Sequence, residues 1–295
     1  MREEKTVGIY GLGIMGGAIA TNLANAGFNV VGFDPDPARL ATFDVKGLTV
    51  TDDVSSIARH AWLLISSLPN ETALKDTIAD ILASAPGPRT LVETSTLSLE
   101  AKLSAAESFQ AAGHTFLDCP LSGTGAQARN RDLTVYASGN STAIEAAAPV
   151  FDGFAKTWFD LGEIGNGSRM KYVANLLVAV HNVVAAEALV LAMKAGLDPH
   201  RVIEVVRHGA GGSRMFEVRG PMMAEGVYSP VTAGFPMYFK DISIIGAFAS
   251  SIGVPTPLLA AVLPIYQAAA KEHSDEDVAS VCAVYEQMSR YTRGE

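Results

Sequence analysis

Residues Thr6–Gly27 read TVGIYGLGIMGGAIATNLANAG, and the way this stretch changes period decides the fold. A short apolar run runs into Gly11-Leu12-Gly13-Ile14-Met15-Gly16, and a pattern of small and apolar residues at helical spacing follows as far as Gly27. In a strand–turn–helix setting, GxGxxG is a phosphate cradle. The first glycine permits the tight turn, the second lets backbone approach a pyrophosphate, and the third lets the helix pack closely, while the helix N-terminus supplies N–H groups and positive dipole. A merely tight turn would share the glycines but not the flanking strand and helix.

Working outward, the first half keeps alternating: NVVGFD, a helix from Pro37, WLLISSLP, a further helix, TLVETST, another helical segment and HTFLDCP. That alternation predicts a parallel sheet wound on both faces by helices. Beyond Gly162 the strands stop and long helical patterns take over, with the change at FDLGEIGNG (Phe159–Gly167). The expected organisation is an α/β dinucleotide-binding domain over 1–163 and an all-α domain over 164–295 for substrate binding and oligomerisation. A chain of 295 residues, 48% hydrophobic and 18% charged, suits two cores. A net charge of −9 argues against nucleic acid and anionic membrane as partners. The two cysteines, Cys119 and Cys282, fit no metal-ligand spacing, so no metal is expected and a reducing compartment is. MREEK enters the first strand without a leader pattern, which makes the cytoplasm the expected location. The terminal YTRGE is expected to fray.

Asp34 closes the second strand about 18 residues after Gly16, where an acidic side chain receives the ribose hydroxyls of NAD. With Asp36 it would repel a 2′-phosphate, so NAD is favoured over NADP, and Arg39 is the one nearby cation favouring the latter. A helix cap ahead of Pro35 and Pro37 is the competing role for Asp34. SSLPN (Ser66–Asn70) and ETST (Glu93–Thr96) put small polar groups at the carboxyl edge of the sheet, where open α/β folds bind ligands. DCPLSGTG (Asp118–Gly125) offers the Ser122 hydroxyl beside exposed backbone at Gly123, a suitable holder for a carboxylate, although an ordinary Ser-Gly turn would look the same.

GNGSRMKYVANLL (Gly165–Leu177) carries Lys171 and Asn175 one turn apart on an otherwise apolar helix. Alcohol oxidation needs a group that takes the hydroxyl proton as hydride leaves carbon. A lysine with its ordinary pKa of about 10.4 must be lowered for that task. Apolar surroundings, the helix N-terminus and an oxidised nicotinamide all act in that direction, and Asn175 is placed to bond the hydroxyl or hold the lysine head. The competing role is a solvated lysine whose stem packs on apolar neighbours.

GLGIMG, SSLPN, ETST, DCPLSG, GNGSRMKYVAN and FKDI, in this order along nearly the whole chain, resemble the β-hydroxyacid dehydrogenase family, which includes 3-hydroxyisobutyrate dehydrogenase and tartronate semialdehyde reductase. The resemblance implies a Rossmann doubly wound parallel sheet followed by an all-α C-terminal domain, and a homodimer or homotetramer. It implies that Ser122 and Gly123 bind the substrate carboxylate, that Lys171 is the acid/base and that Asn175 assists it. Lys240 with Asp241 would reach cofactor and substrate, and Thr96 and Leu68-Pro69 would lie on the nicotinamide side. Two departures border the implied substrate pocket. The family's SGG is Ser122-Gly123-Thr124 here, and the glycine of its AxxGxL pattern is replaced around Arg131 in ARNRDL. GGSRMFEVRGPMM looks more like the branch acting on four-carbon sugar acids such as threonate, with Arg219 available to an anionic substrate, unless Arg214 and Arg219 are surface or interface cations. The expected activity is NAD-dependent oxidation of a small 2- or 3-hydroxy acid. Imine reduction on the same scaffold and a non-catalytic NAD-binding module are the alternatives, and the presence of Lys171 and Asn175 argues against both.

Overall fold

Strand β1 (Thr6–Tyr10) sends Val7 and Ile9 to one face and Tyr10 to the other, the period-2 alternation that lets one sheet carry two cores. The computed structural model describes residues 6–294; the MREEK segment and the last residue of YTRGE lie outside the described residues. After β1 come α1 (Ile14–Asn25), β2 (Asn29–Phe33), α2 (Pro37–Leu40), β3 (Leu48–Thr51), α3 (Val54–His60), β4 (Leu63–Ser66), α4 (Glu71–Ser84), β5 (Thr90–Glu93), α5 (Leu99–Ala111) and β6 (Thr115–Asp118). These six strands form one parallel sheet in the order β3-β2-β1-β4-β5-β6. The order reverses at β1, so the carboxyl ends of β1 and β4 flank the crevice in which doubly wound sheets bind nucleotides. On one face Ile19 and Leu23 of α1 pack with Val7, Ile65, Val92 and Leu117. On the other, Ile57, Ile78 and Phe109 pack with Leu64, Leu91 and Phe116.

The chain then forms β7 (Leu121–Ser122), α6 (Gly125–Arg129), β8 (Thr134–Ala137), α7 (Ser141–Phe154) and β9 (Thr157–Asp160). β7 pairs antiparallel and β9 parallel with β8, making a second, three-stranded sheet that the sequence did not announce. β9 is four residues long with three of them exposed, so it lacks the apolar alternation by which strands are read. α2 is likewise one turn only, because the chain leaves it for β3.

From Asn166 the described chain is helical: α8 (Asn166–Lys194), α9 (Pro199–Val206), α10 (Arg214–Glu225), α11 (Phe235–Ser251), α12 (Pro257–Glu272) and α13 (Val281–Ser289), with a 3-10 turn at Val278–Ser280. Asp198 and Ser213 cap α9 and α10 by accepting from Arg201 N and Phe216 N, and Gly226 ends α10 in the left-handed region. α8 is long and apolar enough to cross a membrane, but 56% of that window is buried, as in a core helix. Asn182, fully buried on α8, donates to the Tyr266 hydroxyl and the Val278 carbonyl, and Tyr266 donates to the Ala179 carbonyl. These bonds satisfy polar groups whose burial would otherwise cost stability. The contact pattern divides the chain within α8, between Lys171 and Tyr172.

Candidate active site

The glycine loop sits at the switch point. Gly11 N donates to the Phe33 carbonyl at 2.8 Å, and Ser67 N donates to Tyr10 O at 2.9 Å, so the loops after β1 and β4 lie side by side. A Cβ on Gly16 would come 1.9 Å from Gly11 O, closer than any side chain tolerates, so only glycine lets α1 start so near the turn. Gly13 is the N-cap of α1 and supplies no side-chain cap, whereas Asp36, Asp53, Asn70 and Ser98 cap α2 to α5. The first N–H groups of α1, at Ile14, Met15 and Gly16, therefore keep their capacity for an anion, and this chain's residues fit a dinucleotide pyrophosphate there. Asp34, 6% exposed, does not cap α2; that is done by Asp36. Its Oδ2 accepts from Leu12 N at 2.8 Å and its Oδ1 from Asp36 N at 3.0 Å. Each oxygen has a second lone pair, so ribose hydroxyls can still be received. Arg39 lies 3.8 Å from Asp34 and 3.5 Å from Asp36, held by two carboxylates.

SSLPN and ETST meet at the ends of β4 and β5. Thr94 Oγ1 donates to Ser66 O at 2.7 Å, and Leu68 N donates to Ser95 Oγ at 2.8 Å, which fixes the Leu68-Pro69 turn beside the loop carrying Thr96. Asn70 caps α4. Ser122 lies half-buried in β7, opposite Thr134, and Gly123 is exposed with φ of +137°.

The start of α8 is built by other segments of the same unit. Gly167 N donates to Ser138 Oγ at 2.9 Å, and Ser168 N donates to Asp118 Oδ2 at 2.7 Å. A Cβ on Gly167 would come within 2.4 Å of Tyr136 O and 2.5 Å of Asp118 O, so this helix starts against backbone. One turn beyond Ser168, Lys171 is only 9% exposed, so most of its side chain lies out of solvent. Behind this turn is a cluster that sequence reasoning missed. Lys102 Nζ lies 2.6 Å from Glu93 Oε2 and 2.7 Å from Asp118 Oδ1, with all three side chains buried. Burial by itself lowers the Lys102 pKa, but Asp118 and Glu93 outweigh it and hold the ammonium above its ordinary value. The available signal was Lys102 falling on the same α5 face as Ala106 and Phe109, at helical spacing.

In the helical unit, Asn175 Nδ2 donates to Asp241 Oδ2 at 2.8 Å, and Lys240 Nζ lies 3.0 Å from Asp241 Oδ1. Asp241 thus gathers Asn175 and Lys240, and the Asn175 amide oxygen remains an acceptor. Arg219 is placed differently from the expectation that it serves substrate. Only 2% exposed, it donates to the Tyr238 hydroxyl at 2.6 Å and lies 3.3 Å from Asp277 Oδ1. Arg214 stays at the surface, paired with Glu217. Burial pushes both thiols up, Cys119 well above its ordinary range and Cys282 to about 12, so neither is a ready nucleophile. Among the described residues no cluster of His, Cys, Asp and Glu could hold a metal ion.

Both departures from the family pattern have a local account. Thr124 caps α6 in a capping box with Gln127: its Oγ1 accepts from Gln127 N, and Thr124 N donates to Gln127 Oε1 at 3.0 Å. The hydroxyl is thereby used within the loop. Arg131 has φ of +57°, a left-handed conformation that favours glycine, and its Nη2 donates to the Asp152 carbonyl. Left-handed backbone costs a side-chain-bearing residue about 1–2 kcal/mol. We expect Arg131→Gly to unfold at higher denaturant than Arg131→Ala by about 1 kcal/mol, since alanine keeps the strain and loses the bond. Equal midpoints would mean that the turn is not held left-handed in solution.

Profiles of two domain families match the chain: the NAD-binding domain of 6-phosphogluconate dehydrogenase over residues 6–163, and the NAD-binding region of NADP-dependent 3-hydroxyisobutyrate dehydrogenase over residues 165–285. The L-threonate dehydrogenase of Escherichia coli O6:H1 is 32% identical over 290 residues, 96% of this chain and 95% of that protein. Two solved structures are similar along nearly their full length. The 3-hydroxyisobutyrate dehydrogenase of Salmonella typhimurium gives a TM-score of 0.84 at 28% identity, over 95% of this chain and 99% of that one. That of Mycobacterium tuberculosis, solved with L-serine, gives 0.85 at 26% identity, over 95% and 98%.

Proposed function

The chain belongs to the β-hydroxyacid dehydrogenase family and is an NAD(P)-dependent hydroxyacid dehydrogenase, and from that premise we propose that Lys171 is its acid/base and that its substrate is a short sugar acid of the threonate kind. The observation that carries the reading is a buried lysine in the second turn of a helix whose first turn is anchored by Asp118 and Ser138. Bound NAD supplies the hydride acceptor. Lys171 takes the hydroxyl proton in oxidation and returns it in reduction, which proton inventory requires of some group on the chain. Asn175, held by Asp241, orients the hydroxyl through its amide oxygen. Ser122 and the Gly123 backbone hold the substrate carboxylate, as serine hydroxyls and exposed N–H groups do.

For the cofactor, backbone from Gly11 to Gly16 receives the pyrophosphate and Asp34 the ribose hydroxyls. Leu68, Pro69 and Thr96 border the nicotinamide side, and Lys240 contacts the cofactor and substrate. Asp34 and Asp36 favour NAD over NADP, because Arg39 is engaged by both and a 2′-phosphate would meet two carboxylates. Thr124, committed to its cap, shapes the pocket by bulk, and Arg219, committed to Asp277, serves the fold. The four-carbon assignment rests on the identity to an L-threonate dehydrogenase along nearly the whole chain. We place the protein in the cytoplasm as a homodimer or homotetramer. Leu177, Val184 and Leu191, 47%, 53% and 73% exposed and seven residues apart on α8, form a stripe suited to a second copy.

The test is initial-rate reduction of NAD and NADP, at mildly alkaline pH, with L- and D-threonate, both hydroxyisobutyrate enantiomers, glycerate, serine and tartrate. A kcat/KM at least tenfold higher for one threonate isomer with NAD is the expected result. Preference for hydroxyisobutyrate or serine would move the substrate to the three-carbon class, and preference for NADP would remove the role given to Asp34.

A further inference from the structure

Two carboxylates on neighbouring strands pose a physical problem. Glu93 and Asp118 are register partners at the ends of β5 and β6, and both are completely buried. Lys102, reaching up from α5, sits against both, one cation between two carboxyl side chains. Such a cluster is not explained by stability, because apolar residues of similar volume commonly serve a core as well or better. Its bonds lead to functional segments. Asp118 accepts from both the N–H and the hydroxyl of Ser168, and its own carbonyl accepts from Ser138 Oγ, the atom that caps Gly167. Glu93 Oε1 accepts from Ser95 N at 2.9 Å, and Ser95 Oγ in turn holds Leu68 N. Four residues beyond Asp118 is Ser122, and three beyond Ser168, one helical turn, is Lys171.

We propose that Lys102 is a positioning residue for the reaction: by bracing Asp118 against the first turn of α8, it fixes where the Lys171 side chain stands. The proposal rests on the reading of Lys171 as acid/base. Lys102 ties the Asp118 and Glu93 side chains together from between them, so that both Asp118 oxygens are held where the N–H and hydroxyl of Ser168 reach them. Without it, the two side chains face each other across paired strands with no cation between them, and the hold on Ser168 loosens.

Lys102→Met keeps the stem and removes the charge. In the full-length protein, with NAD and the best hydroxy acid of the panel above, it is expected to lower kcat at least tenfold, while KM and the dissociation constant of NADH, read by fluorescence, move less than threefold. Combined with Lys171→Ala, it should lower the remaining rate by less than twofold, because a brace has no effect once the group it positions is gone. A kcat per folded site equal to wild type overturns the proposal, as does a matching loss of NADH affinity, which would mean general loosening. Turnover retained by Lys171→Ala alone would instead overturn the acid/base reading. If Lys102→Met does not fold, Ser168→Ala removes one bond to Asp118 and should still lower kcat severalfold at unchanged KM. Amide exchange needs no substrate: in whichever variant folds, Gly167–Arg169 should exchange at least tenfold faster with α1 unchanged, and equal rates overturn the brace.

Discussion

Replacement of Lys171 by alanine is expected to lower kcat by about 10²–10⁴-fold, the usual contribution of a positioned proton-transfer group, while NADH binds as before. The asymmetry follows from where the parts sit. The glycine loop lies between β1 and α1 and Asp34 just after β2, and they are tied to one another through Leu12 N–Asp34 and Gly11 N–Phe33 O. Lys171 stands one turn into α8, buried at 9% exposure, so truncation leaves water to do the proton transfer from an unfixed position. Initial rates together with NADH fluorescence titration check it. A variant that keeps more than a tenth of wild-type kcat would remove Lys171 from the chemistry. A variant that loses NADH affinity in step with rate would assign it to the cofactor.

The second large effect is on stability. Arg219→Ala is expected to destabilise the helical unit by about 3 kcal/mol, the lower end for breaking a buried ion pair. The lower end applies because Asp277 would keep its bonds from Thr232 N, Thr232 Oγ1, Ala233 N and Ala279 N. The Tyr238 hydroxyl would lose its 2.6 Å donor and the cation above its ring. Differential scanning calorimetry should show that unit's Tm fall by about 6–12 °C. Below the transition, KM for the hydroxy acid should stay within threefold of wild type. An unchanged Tm with KM raised tenfold or more would return Arg219 to the substrate.

These two residues show what sequence alone gives. Lys171 stood out because a charge recurring with Asn175 at helical spacing on an apolar helix is visible without coordinates. Arg219 and Lys102 are equally charged, but what they do is set by partners far along the chain: Arg219 meets Asp277, and Lys102 meets Glu93 and Asp118. Arg219 was accordingly read as a candidate for substrate, and Lys102 as nothing in particular. A similar ambiguity affected Asp34, for which cap and ribose acceptor both fit the local sequence. Its bond to Leu12 N, across 22 residues, gives it a third task, tying the strand end to the glycine loop.

The sequence by itself determined the parallel sheet, the tight glycine turn after β1 and the change to helices after Gly162, because each is written in short-range periodicity and in glycines required by backbone approach. Only the tertiary structure decided which charges are buried against each other, that β7, β8 and β9 form a second sheet, and that Arg131 takes a left-handed backbone. The physical reason is the range of the interaction. A helix or a turn is set by neighbours a few residues away, whereas the fate of a buried charge is set by the partner that folding brings to it.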